Sequence, residues 1–395
     1  MRAWGWIGAG AGAGGNRASK PGRSRWLQAR ALGWLWAPLL TAGPALAAPV
    51  LAAPNDGLGL WLTTVDSQVL YQPQQAREAV QFLAANGFRR AAVPLYTGGY
   101  TTWSLAPKDS PLDIPSDPQL PSPSSTRELL DALGHEGLER VGWLEFGLMA
   151  PANAPWLSGR QALLLQDAQG STLWPESPGL NRVWLNPALP EVRQALVSLA
   201  VKACTQLPLE ALQLDDHLGY PARFGYDPAT LALWRQTAAG ASDPMPAADD
   251  PQWTAWRADL ITALLVEIRA AMASACPGVR LSVAPNPQDF SYSNYLADWS
   301  RWIREGLVDE VVVQIYRRDP DRVAWELAQP SLAAARGRVP IRIGLLAGLK
   351  NQPKDPATLQ RELAVARRMG FAGIDLFFYE SARQHFPSSP QPPTP

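Results

Sequence analysis

Ala211-Leu-Gln-Leu-Asp-Asp-His-Leu-Gly-Tyr220 is the stretch on which the fold turns. It starts with the alternation of a β-strand and ends abruptly in two acids and a histidine. Side chains alternate across a strand, so Gln213 and Asp215 share one face while Leu212, Leu214 and Asp216 share the other. The leucines belong beneath covering helices, which points Gln213 and Asp215 into the opposite, enclosed space. Acids at the end of such a strand are what the C-terminal mouth of a parallel barrel carries, and stability alone gives them no reason to be there.

Working outward, seven more β-rich runs share this character. Together the eight fall at 58–65, 90–96, 140–147, 211–217, 279–286, 310–316, 339–346 and 373–380. Helical patterns separate them, at 74–86, 190–206, 253–275, 294–305 and 356–369, and several stop at a glycine such as Gly87, Gly306 or Gly370. Strand and helix in alternation imply a parallel sheet. An open doubly wound sheet would more often carry a glycine-rich nucleotide fingerprint after its first strand, and none follows Val65. The pattern therefore predicts a single-domain (β/α)8 TIM barrel over residues 57–384. Long loops follow the second strand (97–125) and the third (148–189), with a hairpin around Asp167–Gly170, and too little chain remains after the eighth strand for more than a short or missing last helix.

The ends read differently. Residues 1–48 hold Arg2, Arg17, Lys20, Arg23, Arg25 and Arg30 but no acid, then an apolar run at 31–41 and Ala45-Leu-Ala47. This is the order of a secretory signal, with a run too short and Pro-broken to stay as a membrane span. It predicts an exported protein, periplasmic or extracellular. Residues 385–395 read as a disordered, Pro-rich tail.

Composition narrows the chemistry. The 395 residues include 35 basic and 35 acidic side chains, so no positive excess exists to bind nucleic acid. Three histidines and two cysteines leave little for a metal centre, and no metal or cofactor is expected. Cys204 and Cys276 end neighbouring helices at the bottom of the barrel, where they either pair in an oxidising compartment or sit as small buried residues. Gly-x-Ser-x-Gly and His-Glu-x-x-His motifs are absent. Carboxylate chemistry remains.

Its candidates are Asp215, Asp216 and, on the neighbouring third strand, Glu145 in Val141-Gly-Trp-Leu-Glu-Phe-Gly147. Strands about 4.8 Å apart can bring two inward carboxyls toward the roughly 5 to 5.5 Å separation of a retaining glycosidase. Asp215 is then expected to be the nucleophile or transition-state stabiliser and Glu145 the general acid. The bland reading of Glu145 is a salt bridge to Arg182 or Arg223. Substrate contacts are expected from Gln213, His217, Asp66, Asn286, Gln314, Tyr316 and Glu380 at strand ends. Tyr96 and Tyr100 are expected on one side of a groove, with Trp156 and Trp184 on the other, because aromatic rings stack on sugars.

Several motifs together resemble the glycosyl hydrolase-like 10 family: Gly59-Leu-Trp-Leu-Thr-Thr-Val-Asp66, Trp143-Leu-Glu-Phe-Gly-Leu-Met-Ala-Pro151, Val183-Trp-Leu-Asn-Pro187, the acidic strand-four motif, Val283-Ala-Pro-Asn-Pro287 and Gly344-Leu-Leu-Ala-Gly-Leu-Lys-Asn351. The resemblance spans about residues 57–380. It implies an exported bacterial TIM-barrel glycosidase, peptidoglycan glycan strands as the favoured substrate, and Asp215, Asp216 and Glu145 as the site acids. Two alternatives stay open at this level: an N-acetyl group of the substrate serving as nucleophile, and a glycan-binding or envelope scaffold barrel without catalysis.

Overall fold

The computed structural model describes residues 57–105, 112–177, 179–349 and 352–386. The expected leader and residues 387–395 of the expected tail lie outside them. Eight parallel strands, Leu58–Trp61, Phe88–Thr97, Glu139–Leu144, Ala211–Asp215, Arg280–Ala284, Glu310–Ile315, Ile341–Leu346 and Gly373–Phe377, follow one another around the sheet. The first strand pairs with both the second and the eighth, which closes the barrel. Helices cross between successive strands, among them Pro73–Ala85, Ser125–His135, Pro190–Gln206, Pro251–Ala275 and Pro356–Arg368.

The period-2 pattern sorts as expected. Outward residues such as Leu212, Leu214, Val283, Val313, Ile343 and Leu376 join the large core beneath the helices. Inward residues form a second cluster of Trp61, Ala92, Val141, Trp143, Ala284, Val312 and Phe377. Below it the barrel is charged. Arg90 bonds both carboxylate oxygens of Glu310 across the interior at 2.8 and 3.0 Å, and Arg342 pairs with Asp375 at 2.7 Å. Side chains this deep survive only as hydrogen-bonded pairs. Gly59 makes room for the second pair, since a Cβ there would lie 1.8 Å from Asp375 Oδ1.

Differences from the sequence expectation have local causes. The helix anticipated at 294–305 is two, Gln288–Tyr295 and Trp299–Arg304, parted where Leu296 turns left-handed (φ 60°) and Asp298 caps the second by accepting from the Arg301 N–H. The loop after the third strand folds into an antiparallel sheet of Met149–Pro151, Leu180–Trp184 and Trp174–Ser177, so the hairpin lies C-terminal to the turn at Asp167–Gly170. The last helix is indeed short, Tyr379–Ala382 followed by a 3-10 turn. The tail starts later than expected: His385 Nε2 is 2.8 Å from Ala347 O, and the Phe386 ring packs 5.2 Å from Phe88 and 5.9 Å from Phe82. Cys204 and Cys276 form a disulfide that ties the ends of helices Pro190–Gln206 and Pro251–Ala275.

Candidate active site

The mouth is built where the third and fourth strands end. Trp143 is level with Gln213 and Leu144 with Leu214, after which both chains turn. The turns touch: Leu148 N–H donates to His217 O at 2.9 Å, and a Cβ on Gly147 (φ 51°) would stand 2.6 Å from that same oxygen. Only glycine serves there, for both its backbone conformation and the close approach. His217 Nδ1 sits 2.8 Å from Glu145 O, and because a carbonyl only accepts, that nitrogen carries the hydrogen.

Each acid is held by a neutral donor. Thr97 Oγ1 donates to Glu145 Oε2 at 2.5 Å, and Thr64 Oγ1 lies 3.3 Å behind it. Gln314 Nε2 donates to Asp215 Oδ1 at 2.7 Å, and Asn286 Nδ2 to Asp216 Oδ2 at 2.6 Å. His217 Nδ1 is 3.7 Å from Asp215 and 3.6 Å from Asp216. The donor atoms of Asp215, Asp216 and His217 lie within 4.8 Å of one another, the spacing at which three groups can share a cation. The carboxamide donors on both acids and the histidine N–H on the Glu145 carbonyl suit bare, hydrogen-bonded acids better.

The two buried acids have different surroundings. Burial raises the Glu145 pKa, and the negative Glu176 adds to this, while the Thr97 bond, His217 and Arg182 oppose it. Asp215 is driven well above the usual carboxylate range by burial first, then by the negative Asp216 and Glu145. Positive groups thus favour charge on Glu145, whereas negative ones disfavour it on Asp215. Tyr316, half-buried beside them, holds its proton tightly for the same reasons, with Asp215, Asp216 and Asp375 as its negative neighbours.

Neither arginine considered for Glu145 is committed to it. Arg182 pairs with Glu176 at 2.5 Å and lies over the Phe146 ring, and Arg223 is 4.0 Å from Asp167 and stacks on Trp174.

The other expected contacts divide. Asn286, Gln314, Tyr316 and His217 gather around the Asp215–Asp216 pair at the mouth. Gln213 points inward but one layer too deep, 1% exposed and bonded to Trp61 Nε1 and Ser282 Oγ. It supports the floor and does not reach a ligand. Tyr96 and Trp184 are 0% exposed, so they form no groove wall. Tyr96 packs on Phe146, and Trp184 fills the gap between Trp174 and Phe224 while its N–H bonds Gly219 O. Trp156 is nearly as buried and ties the two long loops together through Gly99 O. Tyr100 lies half-buried on the second-strand hairpin. Glu380 accepts from Ser67 Oγ at 3.1 Å and pairs with Arg383, locking the first loop to the last turn, while Asp66 stands exposed with φ 57°. Thr97, Glu176, Arg182 and Trp143 were not on the expected list. Thr97 was legible in principle, as the polar residue that ends the second strand.

The closed parallel barrel with its helices outside is the fold of the TIM-barrel glycosidases. The glycoside hydrolase domain of PgaB (BpsB) from Bordetella bronchiseptica superposes with a TM-score of 0.64 at 14% identity, over 84% of this chain and 96% of that one. The catalytic domain of β-amylase from Paenibacillus polymyxa gives 0.58 at 13% identity, over 84% and 95%. Residues 58–363 match glycosyl hydrolase-like 10, and the chain belongs to that family. Curated relatives are distant. Glycosyl hydrolase DigH of Escherichia coli (strain K12) is 24% identical over 160 residues, 36% of this chain and 34% of the relative. Glycosyl hydrolase YngK of Bacillus subtilis (strain 168) is 26% identical over 153 residues, 34% and 28%. The matched region thus spans about a third of those relatives. No helix among the described residues is long and apolar enough to cross a membrane.

Proposed function

We propose that this protein is a glycoside hydrolase that cuts a polysaccharide with Glu145 and Asp215, and that its substrate is the glycan strand of peptidoglycan. The observation that carries the reading is the pair of buried carboxyls on adjacent strand ends, with the Glu145 charge felt at Asp215 and a neutral side-chain donor on each, Thr97 on Glu145 and Gln314 on Asp215. Membership of a glycosyl hydrolase-like family supports a carbohydrate substrate. The choice of peptidoglycan rests on the resemblance set out above. The signal-like leader and the Cys204–Cys276 disulfide support an exported protein, since disulfides persist in oxidising compartments where wall polymer is at hand.

The surroundings favour a division of labour opposite to the sequence expectation. Asp215, flanked by two negative groups, keeps a proton and serves as general acid. Glu145, near His217 and Arg182, is the carboxylate that acts as nucleophile or base. Asp216 raises the proton affinity of Asp215 and stays fixed by Asn286.

The test is release of reducing ends from glycan strands freed of stem peptides. Asp215→Asn and Glu145→Gln should each abolish it while both proteins stay folded. Turnover unchanged in either variant rejects the assignment.

A further inference from the structure

Four aromatic rings form the floor of the mouth: Trp61, Trp143, Tyr316 and Phe377, with Phe377 packed against the other three at 5.3 to 6.4 Å. Two of them carry indole N–H groups, and the two are treated differently. Trp61 donates to Gln213 Oε1 at 2.8 Å. That uses the one side-chain acceptor of the strand-four layer level with Trp143. The Trp143 N–H is buried and, among the described residues, meets no acceptor at full hydrogen-bond geometry. A buried donor left unbonded costs roughly 1–3 kcal/mol, so its survival at the floor of a site calls for a reason. The reason lies one layer up the same inward face of strand four. Asp215 is the acceptor group beside this N–H, and Trp143 favours its ionised form.

We propose that Trp143 is a positioning residue whose indole N–H is held ready for the carboxylate that Asp215 becomes when it gives up its proton. This rests on the reading of Asp215 as general acid. In that step the Asp215 proton passes to the glycosidic oxygen, the electron pair of the breaking C–O bond goes to the same oxygen, and the negative charge is left on Asp215. Gln314 Nε2 already bonds Oδ1 before the step, so it contributes in both states. The Trp143 interaction strengthens as charge develops, and an interaction stronger in the transition state than before it accelerates the reaction. The ionisable groups facing Asp215 are Asp216 on its own strand end, His217 in the following turn, Glu145 on the third strand and Tyr316 on the sixth. None of them supplies a fixed hydrogen-bond donor from below, which is the role left to Trp143.

The first readout needs no substrate. In protein labelled with indole 15N, the Trp143 N–H resonance, assigned by its loss in Trp143→Phe, should move with pH as Asp215 ionises and stay still in Asp215→Asn. The second is kinetic, on peptide-free glycan strands. Trp143→Phe should lower kcat by between roughly tenfold and a hundredfold with little change in KM, as for a lost bond to a charged group. The alkaline limb of its kcat profile should move to higher pH, because Asp215 then releases its proton less readily. Replacing the indole by its benzothiophene analogue, which keeps the shape and lacks the N–H, should reproduce both effects without a cavity. An indole resonance indifferent to pH, or an analogue with wild-type kcat and pH profile, overturns the proposal. If Asp215→Asn itself retains full turnover, the reading of Asp215 as acid has failed instead.

Discussion

Removing the disulfide should destabilise the barrel without touching its chemistry. Cys204 and Cys276 are 72 residues apart in sequence and join the ends of two adjacent outer helices. Closing a loop of that length removes chain entropy worth about 4 kcal/mol from the unfolded state. The described part of the chain runs to roughly 320 residues, and at ~2.1 cal/mol/K per residue its unfolding entropy is about 0.7 kcal/mol/K, so the loss corresponds to a fall in Tm of about 6 °C. The assay is calorimetry of the oxidised protein, the protein in excess reductant, and the Cys204→Ala/Cys276→Ala variant, with kcat measured well below the transition. Both perturbed forms should melt several degrees lower and retain wild-type kcat. An unchanged Tm in reductant would refute the reasoning, and so would a loss of activity at low temperature, because both cysteines lie at the far end of the barrel from the mouth.

Further outcomes follow from other contacts. Arg90→Met removes the closest partner of the buried Glu310 carboxylate, leaving it Arg280 at 3.4 Å and the Ser282 hydroxyl at 2.9 Å, and should cost up to about 3 kcal/mol in denaturant unfolding. Burial raises the Glu310 pKa, but Arg90, Arg342 and Arg280 outweigh it and lower it to about 2 from 4.5, so its contribution is present above pH 4.5 and drains away as pH falls from there toward 2; the variant should lose part of that acid sensitivity of stability. Arg182→Met removes a positive neighbour that favours ionised Glu145, so the acid limb of the kcat/KM profile should move to higher pH, while Glu176→Gln should move it to lower pH. Gly147→Ala forces a side chain against His217 O and should lower kcat at least tenfold, through displaced Glu145, with a much smaller effect on global unfolding.

What was legible in the sequence is what strand and helix periods control. Leu212 and Leu214 against Gln213 and Asp215 announced their faces, and the mouth-facing positions of Asp215 and Gln314 followed. Depth was not legible: Gln213 points the right way but lies a layer below any ligand, and a period of two cannot tell the layers apart. The aromatic residues misled for a related reason. Tyr96 and Trp184 stand at strand ends where sugar stacking is plausible, yet the third-strand loop folds into a small sheet against which Trp184 packs with Trp174 and Phe224, and Tyr96, on the second barrel strand, is buried against Phe146. The broken helix at Leu296 hid behind an unbroken apolar pattern, although Asp298 ahead of Trp299 was a capping signal. Thr97 and Trp143 escaped because a threonine and a tryptophan are ordinary residues on a β-strand. Their importance comes from what stands next to them, which is a property of the closed barrel.

In the proposed mechanism Asp215 donates a proton and Glu145 acts as the anion on the same glycosidic bond. This is tested most directly by comparing both variants on peptide-free glycan strands and on an aryl glycoside whose leaving group needs no proton. Asp215→Asn should lose the polymer and keep much of its rate on the aryl substrate, while Glu145→Gln should lose both. A Glu145→Gln enzyme that still cuts the polymer, or an Asp215→Asn enzyme equally disabled on both substrates, contradicts the account.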